Sequence, residues 1–191
     1  MHEAISQAPE GQRRTAGADH TAVPETPAAW QEFGSVYEAC LPVVLRYTLA
    51  RVRNPQVAED LVGETFERAL RAWPSFGHRA TARTWILGIA RHVIADYWRR
   101  GPPASGPVPE EAPAPQSTLE EVAQQSESEH RLRQALARLG QHDQELLALR
   151  YAAHLPLREV ARVLGLRETA TRVRLHRVLK RLRVVLDDKE E

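Results

Sequence analysis

The chain has 191 residues, 26 Lys/Arg against 25 Asp/Glu for a formal net charge of +1, and one cysteine. A single thiol excludes an internal disulfide framework and a thiolate-rich zinc site, and no apolar run approaches the ~20 residues of a membrane helix. The Ala/Leu/Arg/Glu-rich periodic segments, few aromatics and absence of a basic-then-apolar leader in Met1–Thr26 predict an all-α, cytoplasmic protein without membrane insertion.

Residues 1–26 are polar and aperiodic, the composition of a disordered tail. Thr26-Pro27 is a helix start, a capping hydroxyl followed by a proline whose missing N–H costs nothing there. Trp30, Phe33, Val36, Tyr37, Cys40, Leu41, Val44, Leu45, Thr48 and Leu49 then recur at helical spacing. Cys40 in that stripe reads as a small core residue, and Pro42 is expected to kink or split the helix. Asn54-Pro55 repeats the cap-then-proline signal. The next helix buries Val57, Ala58, Leu61, Val62, Thr65, Phe66, Ala69, Leu70 and Trp73 and exposes Glu59, Asp60, Glu64, Glu67, Arg68 and Arg71, with Glu64–Arg68 and Glu67–Arg71 as i,i+4 pairs. Trp73-Pro74 ends it. After a polar loop, Thr81 caps a helix over Ala82–Arg100 that Gly101-Pro102-Pro103 stops.

Residues 101–117 are a Gly/Pro/Ala-rich linker, and residues 101–127 carry five glutamates and no Lys or Arg. A second helical domain, 118–186, follows: Leu119 to about Leu139, Asp143 to about Ala152, and two further helices; residues 187–191 form an acidic tail. Residues 128–186 sum to +8 and residues 30–100 to +3.

Leu157–Arg183 holds nine Lys/Arg against Glu159 and Glu168. Two short amphipathic patterns meet at Gly165-Leu166, which reads as a helix-turn-helix. Val160, Ala161 and Leu164 face inward, Ala161 small enough for close helix crossing. Gly165 supplies a positive φ, and Leu166 is expected to plug the turn. In the second helix Ala170, Thr171, Leu175, Val178, Leu179 and Leu182 are the expected packed side. This motif alone fits any duplex-DNA reader, including a dimeric repressor or activator that does not bind polymerase. The eight histidines are scattered, and no phosphate loop or catalytic constellation is present, so no enzyme, metal or cofactor is expected.

Ala58–Ala69, AEDLVGETFERA, resembles the AEDLVQETFLRAL signature of region 2 of the sigma-70 family, in its extracytoplasmic-function (ECF) group, with Gly63 in place of Gln. Phe76 with Trp85–His92 (WILGIARH), and Asp96 with Arg99-Arg100, extend the match. Ala135–Leu139, Glu145–Tyr151 and Glu159–Leu166 resemble region 4. At the start of the recognition helix the family's Gly-Thr-Val-Lys-Ser-Arg reads Thr169-Ala170-Thr171-Arg172-Val173-Arg174 here. The resemblance implies two small helical domains, region 2 over 27–100 and region 4 over 118–186, joined by the flexible linker. It also implies an alternative sigma factor that directs core RNA polymerase to promoters. Asp60, Leu61, Glu64 and Phe66 would then meet the β′ coiled coil, and region 4 the β flap. Phe76, His78, Arg79, Arg83, Trp85, Arg91, His92, Arg99 and Arg100 would read and melt the −10 element, core packing being an equal reading for Trp85. Arg167, Thr169, Ala170, Arg172, Val173, Arg174, His176, Arg177 and Lys180 would read the −35 element. An anti-sigma factor is a further implied partner, and the acidic linker would thread the polymerase's basic channels.

Overall fold

A computed structural model of the chain describes residues 26–101 and 129–187. Most of the expected tail, the linker, the first part of the Leu119–Leu139 helix and the end of the acidic C-terminus lie outside the described residues. Those residues form seven helices and no strand.

The first bundle is α1 (Pro27–Val52), α2 (Pro55–Ala72) and α3 (Ala82–Arg100). Each begins on the side chain expected to cap it. Thr26 Oγ1 accepts from the Ala29 N–H at 3.3 Å, Asn54 Oδ1 from Val57 at 3.2 Å and Thr81 Oγ1 from Thr84 at 3.2 Å. Pro42 does not split α1, which runs as one helix of 26 residues. Only one backbone donor is lost at Pro42, and the buried neighbours Cys40, Val43 and Val44 hold both halves against the same core. The apolar face begins unevenly: Trp30 and Tyr37 stay exposed, whereas Phe33 is buried. Between α2 and α3 a short 3₁₀ turn, Trp73–Ser75, redirects the chain.

The second bundle comprises α4 (residues 129–137), α5 (Gln141–Leu147), α6 (Leu157–Leu164) and α7 (Glu168–Asp187). α5 continues as a π-helical turn over Ala148–Ala152. α6 ends on Gly165 at φ 67°, as expected. The plug assigned to Leu166 is not present, because its side chain is exposed. Backbone closes the turn instead: the Leu166 N–H donates to Ala161 O at 2.9 Å and the Gly165 N–H to Arg162 O at 3.2 Å. These two bonds form a Schellman cap, which satisfies the end of α6 without a buried side chain. On α7 the packed stripe is narrower than expected. Thr171, Val178 and Leu182 are buried, while Ala170 and Leu179 face solvent.

The two bundles share one continuous apolar core: α3 packs on α6, and α1 on the 148–152 turn. Tyr47, Val44, Leu149 and Leu155 are fully buried within it.

Candidate nucleic-acid interface

The first candidate surface is the outer face of α2. Asp60 is exposed and Glu64 half-buried, one turn apart. Arg68 donates to Glu64 Oε1 at 2.5 Å and to Asp96 Oδ2 on α3 at 3.1 Å. Arg99 pairs with Asp96 at 3.0 Å, and Arg100 lies 3.8 Å from Glu64. Glu67 pairs with Arg71, as the i,i+4 spacing predicts. The hydrogen bond from Arg68 holds the Asp96 carboxyl below its ordinary range; the charges of Arg99, Arg68 and Arg100 add to this against a smaller desolvation. These pairs are partly or fully exposed, so they orient side chains more than they stabilise the fold. Leu61 and Phe66, unlike Asp60, are buried in the bundle. Helical periodicity turns them inward from Asp60 and Glu64, so their part is to hold the acidic face outward.

The second surface joins the 73–78 segment to the start of α3. Trp73 and Phe76 stack with ring centroids 5.1 Å apart, Phe76 lies 4.7 Å from Trp85 and His78 4.5 Å from Phe76. Phe33 braces Trp73 edge-on at 5.4 Å. Trp73 is buried, but Phe76 and Trp85 are only half-buried and His78 is exposed. His78 holds a left-handed φ of 52°, which bends the loop back over the rings. Trp85 thus packs in the cluster and still reaches its edge. Arg79 and Arg83 are exposed on the loop and first turn of α3 next to the rings, and His92, Arg99 and Arg100 are exposed farther along α3. Half-covered rings bordered by cations are a platform on which unpaired bases stack. Arg91 is set apart from this group, because its guanidinium donates to Glu145 of α5 at 2.8 Å.

The third surface is α7. Arg167, Thr169, Ala170, Arg172, Val173, His176, Arg177 and Lys180 are all exposed, with Arg172 held at 3.0 Å by Glu168 one turn back. Arg174 is not with them. It donates to Asp143 Oδ1 at 2.7 Å, and Arg181 donates to Oδ2 of the same carboxylate at 2.5 Å. Asp143 is buried, which pushes its carboxyl up, but the hydrogen bonds and charges of the two arginines outweigh this and hold it below its ordinary value. Arg174 therefore fastens α7 to α5, apart from the exposed residues of the helix. Thr171, where the recognition helix departs from the usual pattern, is fully buried and donates to Arg167 O at 3.1 Å, so it too is structural.

Asp143, Glu145, Thr84 and Glu159 carry cross-element contacts that no sequence signal marked. Their partners lie 31 to 75 residues away along the chain, beyond the reach of helical periodicity. An apolar groove of about 330 Å³ also opens between the end of α1 and the second bundle, lined among others by Ala50, Arg53, Leu132, Leu136, Tyr151 and Leu179.

The chain resembles known proteins over these same elements. The family descriptions Sigma-70 region 2 and Sigma-70 region 4 match residues 36–101 and 129–182. The ECF RNA polymerase sigma factor BldN of Streptomyces coelicolor is 32% identical over 82% of the chain and 61% of its own length, so the chain spans about three fifths of that relative. ShbA of Streptomyces griseus, also described as an ECF RNA polymerase sigma factor, is 36% identical over 76% of the chain and 83% of its own. Two solved structures share the fold: CnrH in complex with the cytosolic domain of CnrY (TM-score 0.61, 20% identity, 84% of this chain and 90% of that one), and the sigma factor RpoE in complex with the anti-sigma factor NepR from Bartonella quintana (TM-score 0.65, 19% identity, 83% and 99%). An acidic α2, a ring platform and a helix-turn-helix in this order, matched at both ends by region-specific descriptions and by relatives described as sigma factors rather than repressors, place the chain in the ECF group of the sigma-70 family.

Proposed function

We propose that this chain binds core RNA polymerase and directs it to promoters. The carrying observation is the pairing of two unlike DNA-facing surfaces in one chain. A ring platform at Phe76 and Trp85 is suited to unstacked bases, and an arginine-bearing α7 without Phe, Trp or Tyr is suited to a duplex groove. A factor that opens one promoter element while reading another as duplex needs both.

In this reading Phe76, His78 and Trp85 receive bases of the −10 strand, while Arg79, Arg83, His92, Arg99 and Arg100 meet its phosphates. Arg172, Val173, His176 and Arg177 face the −35 groove, Arg167, Thr169 and Ala170 lie at its edge, and Lys180 meets backbone. Asp60 and Glu64 are the polymerase contacts, presented by the buried Leu61 and Phe66 and oriented by Arg68. Complementary charge on the polymerase would steer docking and fix its register. The apolar groove around Leu132, Tyr151 and Leu179 suits the β flap or an anti-sigma partner of the kind named for the structural neighbour RpoE. The site of action is the cytoplasm, where polymerase works.

The test of docking is the double substitution Asp60→Lys with Glu64→Lys. Neither change touches the core, so the melting temperature should hold while affinity for core polymerase falls at least about a hundredfold, as expected for reversed charges that meet like charge. Unchanged affinity would remove α2 from the interface.

A further inference from the structure

The outward face of α7 is set by what the helix buries. Thr171, Val178 and Leu182 are buried. At about 100° per residue, Val173 lies roughly 200° round the helix from Thr171, on the line farthest from the core. Val173 is 49% exposed. Thr169, His176, Arg177 and Lys180, one or two turns away on the same face, are exposed with it. The other large exposed apolar residues of α7 line grooves: Leu179 the one at the end of α1, and Val184 a second one with Leu139 and Val185. Val173 borders neither.

The cations next to it in the chain are fixed elsewhere. Arg172 is held by Glu168 at 3.0 Å and Arg174 by Asp143 at 2.7 Å. The centre of the outward face is therefore apolar, with Arg177 exposed one turn on. Local preference does not account for a valine there, because its branched β-carbon loses rotamer freedom in a helix. Where the sigma-70 pattern has Ser, whose hydroxyl both donates and accepts, this chain presents a pair of methyl groups.

We infer, on the −35 reading of α7 proposed above, that Val173 selects thymine by packing on its C5-methyl group in the major groove. The chain then specifies this base by an apolar contact where the family pattern offers a hydrogen bond. The thymine methyl is the apolar group among the major-groove base edges; the others are donors and acceptors. A valine gains contact area from the methyl, and it strips water from any other edge without replacing the lost hydrogen bond. Thr169, one turn back, offers a further methyl beside its hydroxyl. Arg177, one turn on, lies about 6 Å along the axis, within two base steps of about 3.4 Å. Its forked guanidinium suits the O6 and N7 of a guanine. The expected element has a thymine under Val173 and a guanine no more than about two pairs away.

The experiment uses the full chain bound to core polymerase and a duplex pool of random sequence. Bound duplexes are enriched, and each thymine of the selected sequence is replaced singly by uracil, which removes the methyl and keeps the pairing. One replacement should weaken native binding about fourfold, the worth of one buried methyl-sized group. Val173→Ser should abolish that discrimination at the same position and leave the effect of uracil elsewhere unchanged. Val173→Thr, which keeps one methyl, should retain part of it. Both variants should melt at the native temperature, because the side chain lies outside the core. A uracil effect of equal size in the native chain and Val173→Ser gives the methyl to another residue and overturns the inference. Native binding indifferent to uracil at every position overturns it too. In either case Arg177→Ala tests what lies beneath: weaker binding to the selected duplex keeps α7 on the −35 element, and unchanged binding removes it. A pool from which no sequence is enriched overturns both.

Discussion

α3 and α7 both carry arginines toward solvent, but they are set in different surroundings. At the start of α3 the cations stand beside Phe76, His78 and Trp85, rings braced from beneath by Trp73 and Phe33. Along α7 there is no Phe, Trp or Tyr, and the cations stand on an aliphatic stripe of Val178 and Leu182. A ring face stabilises an unpaired base whatever its identity, whereas a bare cationic helix fits a groove whose bases stay stacked. The contrast between the heads matches the proposed division between melted and duplex DNA.

Removing the rings should produce the largest effect. Phe76→Ala with Trp85→Ala should cost about 1–3 kcal/mol per stacked base in single-strand binding and leave duplex binding unchanged; equal losses on both substrates would dissolve the contrast. Arg172→Ala with Arg177→Ala should do the reverse. Duplex affinity should fall, and the slope of log K against log salt should flatten by about 0.9 for each lost phosphate contact. Arg174→Ala offers a sharper version. Because Asp143 holds this arginine, its loss should lower the melting temperature more than it changes the salt slope.

Asp143 itself gives a smaller, pH-dependent effect. Its carboxyl is held below the ordinary value near 4. A depressed carboxylate contributes stability that is fully present above the unfolded value and lost as pH falls through the folded one. Acid titration should therefore destabilise the native chain below about pH 4, and Asp143→Asn should remove that part of the dependence. At neutral pH the same change should cost about 1.5–3 kcal/mol, the range for hydrogen bonds to charged groups, measured by denaturant unfolding. Asn54→Ala should have the least effect, about 1 kcal/mol from one lost cap, with no change in either DNA assay.

What the sequence made legible follows the same physical divisions. Caps are local chemistry, and Thr26, Asn54 and Thr81 each begin the helix expected of them. Gly165 ends α6 for the conformational reason that singled it out. Side-chain direction over one or two turns was legible only in part. Leu61 and Phe66 belonged to the motif, and their burial was already written in the spacing that assigned them to the core. Leu166 and Leu179 were placed inside because they are apolar, but a backbone cap and a narrow helix contact left them outside. Pro42 does not split α1, because packing on both sides of it holds one helix. Pairings such as Asp143 with Arg174 and Arg181, or Glu145 with Arg91, join distant segments, and no pattern within a single helix marks them.

The central claim is that one chain carries core polymerase to a promoter with two different DNA-reading heads. Run-off transcription on a library of genomic fragments, with purified bacterial core polymerase plus or minus the purified chain, tests it most directly. The account predicts factor-dependent transcripts from a defined set of start sites, lost in Asp60→Lys/Glu64→Lys and in Phe76→Ala/Trp85→Ala. Transcripts that do not depend on the chain, alongside duplex binding by the chain alone, would contradict it.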